Sequence, residues 1–173
     1  MNIEKLRQPN SQSVKDQLKA CSIAHFACHA LADWKDPLKS AILLQDCYRD
    51  NRFRDPQPFC VRTLLKLDVE ECQLVYLSAC ETGANRDLGL RDEGVHIAGG
   101  FHMAGVPHVI STLWRVADTT SGQLSGLFYG NLSNEQHELD IERSADALHI
   151  AVQELRTRGE EPMLWGPFIH SGP

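Results

Sequence analysis

The sequence predicts a three-layer α/β fold, a mostly parallel sheet with helices packed on both faces. Three observations carry that expectation. Short, nearly continuous apolar runs at residues 21–28 (CSIAHFAC), 73–79 (QLVYLSA) and 107–113 (PHVISTL) read as strands buried on both faces, as parallel sheets require. Segments with helical spacing lie between them, and such alternation builds a parallel sheet with helical covers. At 173 residues and 42% hydrophobic, the chain is long enough for one sizeable core and too short for two full domains.

The elements follow in order. Residues 11–20 (SQSVKDQLKA) open on serines suited to a helix start and space Val14 and Leu18 four apart, which predicts a short amphipathic helix. Residues 21–28 form the first strand and 41–45 (AILLQ) the second. The polar, Pro-bearing stretch 46–59 is the longest irregular one, and loops of that length are often functional. A short helix is expected at 61–67, then a third strand ending at Cys80. Residues 81–94 (ETGANRDLGLRDEG) read as a loop with three glycines. Val95, Ile97, Ala98 and Phe101 then give helical spacing that Gly105 caps. Pro107 starts a fourth strand, where a proline is tolerated. A helix runs from Asp118 to about Leu132, and another over 143–157 puts Ala145, Leu148, Ala151, Val152 and Leu155 on one face. Residues 162–173 (PMLWGPFIHSGP) close the chain with aromatic anchors.

Composition excludes several classes. A net charge of −6, with no basic cluster denser than Arg49, Arg52 and Arg54, predicts no nucleic-acid partner. No run of 18 apolar residues exists, and MNIEKLRQPNSQS lacks the apolar core of a secretion signal, so a soluble, cytoplasmic protein without a membrane partner is expected. The six cysteines, at 21, 28, 47, 60, 72 and 80, are then expected to be reduced thiols.

The stretch HFACH places His25 and His29 four apart around Cys28, which fits a metal pair, a base for a nucleophile, or a packed strand. On a strand the two histidines lie about 13 Å apart, too far to share an ion. Phe26 stands where a zinc-protease helix would carry its glutamate, and no C-x-x-C pair occurs, so no metal and no cofactor is expected. Nucleophilic catalysis needs a thiol with a base in reach. His29 follows the first strand and Cys80 the third, at the carboxyl edge where such sheets carry their working residues. His29 precedes Cys80 by 51 residues, near the caspase spacing of about 50, although SACETG replaces the caspase signature. Histidines and cysteines at strand ends are also ordinary packing residues, and spacing alone leaves both readings open.

Four blocks in order, HFACHA, VYLSACETG, AGVPHVISTLWRVAD and PMLWGPFIHSG, resemble the CHAT domain, a caspase-like cysteine protease fold of the caspase and separase group. Fungal members, with HFACHG, LSAC and a terminal WAPFIH, are particularly similar, and the resemblance runs from about residue 11 to the end. It implies a caspase-like α/β/α sandwich forming a single CHAT domain over residues 1–173, short of some N-terminal strands of the family. It places the dyad histidine on His29, the nucleophile on Cys80, and the family's non-catalytic histidine on His25. The oxyanion donors implied are the backbone N–H groups of Cys80 and Ala30, where the family commonly has glycine. Asp118, in LWRVAD, matches a separase acidic position that receives a basic P1 side chain, or else it caps the next helix. Glu81, Asp92 and Glu93 read as loop or first-turn carboxylates, and Trp114 and Trp165 as core or lid aromatics. The function implied is a cysteine endopeptidase acting on a protein substrate, regulated by a partner or adjoining domain such as tetratricopeptide repeats. The alternative is a catalytically silent, protease-like interaction or scaffold module.

Overall fold

The computed structural model describes residues 3–31, 33, 35–49, 52–53, 59–78, 80–81, 93–134, 136 and 138–173. Its centre is a four-stranded sheet built from β1 (Ile23–Phe26), β7 (Leu74–Leu77), β9 (His108–Thr112) and β10 (Phe168–Ser171), in that order. β1 and β7 are parallel, β7 and β9 are parallel, and β10 closes the sheet antiparallel to β9. β7 and β9 are buried along their whole length, which explains why their sequences are unbroken apolar runs.

Helices cover both faces. On one side, α1 (Ser11–Leu18), α2 (Val61–Leu64) and α3 (Glu93–Met103) pack Leu18, Leu64 and Phe101 against Val75 and Val109. On the other, α4 (Asp118–Leu132) and α5 (Ser144–Thr157) pack Leu124, Phe128, Ala151 and Leu155 against Leu74, Tyr76 and Ile110. Residues alternate between the two cores along each strand because successive side chains point to opposite faces. The architecture is the expected caspase-like three-layer α/β/α sandwich with a mostly parallel central sheet.

Local chemistry sets the boundaries. α1 starts one residue earlier than its serines suggest: Asn10 Oδ1 accepts from Ser13 N–H at 2.9 Å while Ser13 Oγ accepts from Asn10 N–H at 3.0 Å, a reciprocal capping box. α3 ends at Gly105, whose φ of +107° suits a residue without a Cβ. α4 has the bounds predicted for it.

Three expectations change. The first strand is four residues long and half-exposed rather than buried on both faces, because β1 is an edge of the sheet. The closing segment is more than aromatic anchors: α6 (Pro162–Trp165) leads into β10. The stretch read as irregular contains a two-stranded ribbon, β4 (Tyr48–Arg49) and β5 (Arg52–Phe53). Residues 54–58 of that stretch and 82–92 of the glycine-bearing loop, including Asp92, lie outside the described residues.

A second, smaller sheet sits past the carboxyl ends of β1 and β7. It comprises β6 (Phe59–Cys60), β3 (Ala41–Leu43), β2 (His29–Leu31) and β8 (Cys80–Glu81), in that order. β2 runs antiparallel to β3 and parallel to β8.

Candidate active site

The two sheets share a register. Ile23 pairs with Leu74 and Phe26 with Leu77 in the central sheet; His29 pairs with Cys80 and Ala30 with Glu81 in the small one. The offset is 51 residues in every case, so β1–β2 and β7–β8 follow one parallel register. Ser78 N–H donates to the Phe26 carbonyl at 2.9 Å at the carboxyl ends of β1 and β7, which holds the alignment. The 51-residue separation of His29 and Cys80 is thus the register of two neighbouring strands, and paired strands lie about 4.8 Å apart. The Cys80 and Glu81 side chains lie outside the described residues.

His29 is half-buried, at the start of β2. Ala30 follows, 4% exposed, with its methyl group in the core shared with Phe26, Ile42 and Leu77. It sits in regular strand, a conformation open to any L-residue, so alanine in place of glycine imposes no backbone strain here. Ala30 has pairing partners on both sides, Ile42 and Glu81.

His25 makes contacts of its own on β1. Its Nε2 lies 2.8 Å from Ser78 Oγ, and its ring stands 4.8 Å from Tyr76 and 5.7 Å from Tyr129. Burial against these rings holds its pKa below the ordinary histidine value. Tyr76 and Tyr129 are themselves pushed up by burial, Tyr76 also by Tyr129, so both stay neutral phenols. The resemblance gave His25 as a non-catalytic histidine but did not identify Ser78, two residues before Cys80, as its partner. Ser78 comes within reach only through the strand register that pairs His25 with Tyr76, a long-range relation that the residue pattern does not carry.

The described thiols differ sharply. Cys28, the cysteine between the two histidines, is pushed up to about 12 by burial and is an inert packing group. Cys21 is lowered to about 7, chiefly because it accepts a hydrogen bond from the Cys72 thiol; burial opposes the shift. The same hydrogen bond and burial drive Cys72 far upward.

Asp118 is exposed in the first turn of α4, with Ala117 in the capping position, and its carboxylate complements the positive end of the helix. It follows the carboxyl end of β9, on the same sheet edge as His29 and Cys80. The indole N–H groups of Trp114 and Trp165 donate to the carbonyls of Met163 and Glu160, each at 3.0 Å, and fasten α6 to its surroundings.

A mostly parallel sheet between two helical layers is the caspase-like α/β/α fold. The chain belongs to the CHAT domain family, whose profile matches residues 2–173. No curated protein matches it. Among the described residues, no helix is long and apolar enough to cross a membrane.

Proposed function

We propose that this protein is a cysteine endopeptidase with His29 and Cys80 as its dyad. The observation that carries the reading is the in-register pairing of those two residues across β2 and β8. Cys80 sulfur attacks a peptide carbonyl carbon and its proton passes to His29. The C–N bond breaks as the imidazolium protonates the leaving amine. Water, deprotonated by His29, then attacks the acyl carbon and the S–C bond breaks, returning the thiol. Backbone N–H groups at this edge, those of Cys80 and Ala30, stabilise the oxyanion. Asp118, on the same edge, favours Lys or Arg at P1.

Membership of the CHAT family supports the protease fold and a protein as substrate or partner. We take the chain to act in the cytoplasm as a single domain under the control of a partner or adjoining domain, with tetratricopeptide repeats as the candidate. The similarity to fungal CHAT sequences points to a fungal-type member.

The test is labelling by an acyloxymethyl ketone peptide with lysine at P1. Covalent capture at Cys80, lost in Cys80→Ser and in His29→Ala, supports the reading. Absence of capture, with a tetratricopeptide partner present and the fold intact by circular dichroism, overturns it in favour of the silent interaction module.

A further inference from the structure

The 51-residue register also continues in the other direction, toward the amino ends of β1 and β7. It brings Cys21 beside Cys72. Between them and the strands, the Ser22 carbonyl accepts from both Gln73 N–H, at 2.8 Å, and Leu74 N–H, at 3.2 Å, so the two segments are locked together one residue from each cysteine. The Cys72 N–H is fixed on the Val69 carbonyl at 2.9 Å. Both cysteines are free thiols. Cys72 is fully buried, with its Sγ 3.7 Å from the Leu74 carbonyl oxygen, and Cys21 is packed on the same core but partly open to solvent.

We propose that Cys21 and Cys72 form a peroxide-sensitive thiol pair that closes to a disulfide at the sheet edge opposite the candidate active site. Cys21 and Cys72 flank β1 and β7 two residues before each strand, and the ladder spacing of about 4.8 Å carried out to them falls within the Cα separation of about 4.4–6.8 Å that a disulfide needs. The roles are unequal. Cys21, accepting the hydrogen bond and reachable from solvent, is the attacking sulfur, and its lowered pKa leaves a large thiolate fraction near neutrality. Its sulfur takes one oxygen of the hydroperoxide as the O–O bond breaks, giving a sulfenic acid and an alcohol, or water from hydrogen peroxide. The Cys72 sulfur then attacks that sulfur, the S–O bond breaks, and hydroxide leaves with the Cys72 proton as water. Two thiols are oxidised, one peroxide is reduced, and the buried Cys72 ends the sequence before over-oxidation.

The experiment treats the reduced full chain with a slight excess of hydrogen peroxide at pH 7, blocks free thiols with N-ethylmaleimide in denaturant, and maps peptides without reductant. A peptide joining Cys21 to Cys72, released by dithiothreitol, is the expected product, and Cys21 should be consumed at least ~10-fold faster than Cys28. In Cys72→Ala, which removes both the resolving sulfur and the hydrogen bond that lowers Cys21, no intramolecular disulfide should form and dimedone should trap Cys21 as the sulfenic acid more slowly than the wild-type Cys21 thiol is consumed. In Cys21→Ser, a near-isosteric change at the margin of the core, Cys72 should remain unmodified. Cys21 unmodified, oxidised past the sulfenic acid, or bridged to another cysteine in the wild-type chain overturns the proposal, as does oxidation of Cys72 in Cys21→Ser.

Discussion

His25 Nε2 stands 2.8 Å from Ser78 Oγ, a side-chain bond joining β1 to the residue two positions before Cys80. It reinforces the backbone bond from Ser78 to Phe26 at the carboxyl ends of β1 and β7. The ring also covers Tyr76 and Tyr129, so the contact is both polar and packed. His25→Ala is expected to lower unfolding stability by about 1 kcal/mol, the usual worth of one such bond. Urea denaturation measures it, and an unchanged midpoint would show that the bond holds nothing in place.

Ala30→Gly separates two roles at one position. Its methyl group is core and its backbone is regular strand, so glycine should lower stability by about 1 kcal/mol. Peptidase turnover, if carried as proposed, should stay within a few fold, because an N–H donor is the same in both residues. A loss above ~10-fold in turnover with little change in stability would place the oxyanion donors elsewhere.

Mildly acidic alkylation should distinguish the thiols. At pH 6, iodoacetamide should label Cys80 ahead of Cys28, Cys47, Cys60 and Cys72, and His29→Ala should remove that advantage. Cys21, lowered to about 7, is the competitor, so the measurement is cleanest in a Cys21→Ser background. Even labelling there would mean that His29 does not activate Cys80.

Asp118 is exposed, and a charge pair in water at 4 Å is worth about 1 kcal/mol. Asp118→Asn should therefore cost a Lys or Arg P1 substrate about fivefold in kcat/KM, and an apolar P1 substrate little. Equal effects on both would return Asp118 to supporting the amino end of α4.

Acid should loosen the far edge of the central sheet. His170 on β10 lies with Nε2 3.1 Å from His108 Nδ1, and burial, then His108 and His102, hold its pKa below the ordinary histidine value. The unfolded chain takes up that proton near pH 6.5, whereas the folded chain does so only at lower pH. The stability contribution is therefore present above about pH 6.5 and is lost as pH falls through the folded value. Thermal midpoints between pH 7.5 and 5 should fall more steeply for the wild type than for His170→Asn. Parallel slopes would exclude this residue as the source.

The sequence was most legible where burial and periodicity agree. α5, β7 and β9 are recovered because a buried strand must be apolar throughout and a helix must present one apolar face. β10 escaped because Trp, Pro and Gly beside a short run imitate a loop, and its pairing with β9 is a long-range fact. β2 and β8, at three and two residues, are too short to carry a period. For the site, the carboxyl-edge rule brought His29 and Cys80 to one edge, and the fold aligns them. The hydrogen bonds of His25 with Ser78 and of Cys21 with Cys72 were invisible because they depend on register, which hydropathy does not encode.

Because the shared offset belongs to two rails clamped side by side, the gap between His29 and Cys80 is set by whatever length of chain joins the rails. Lengthening or trimming the excursion between Leu31 and Leu74, away from its packed elements, alters the count of 51 while the same residues still meet. The rails themselves have no such freedom. One residue inserted between Phe26 and His29, or between Leu77 and Cys80, would slide one rail a notch past the other and set the histidine opposite a different neighbour. The invariant to look for across relatives is thus the four-residue step from His25 to His29 and its twin from Tyr76 to Cys80, with the long interval between them free to drift.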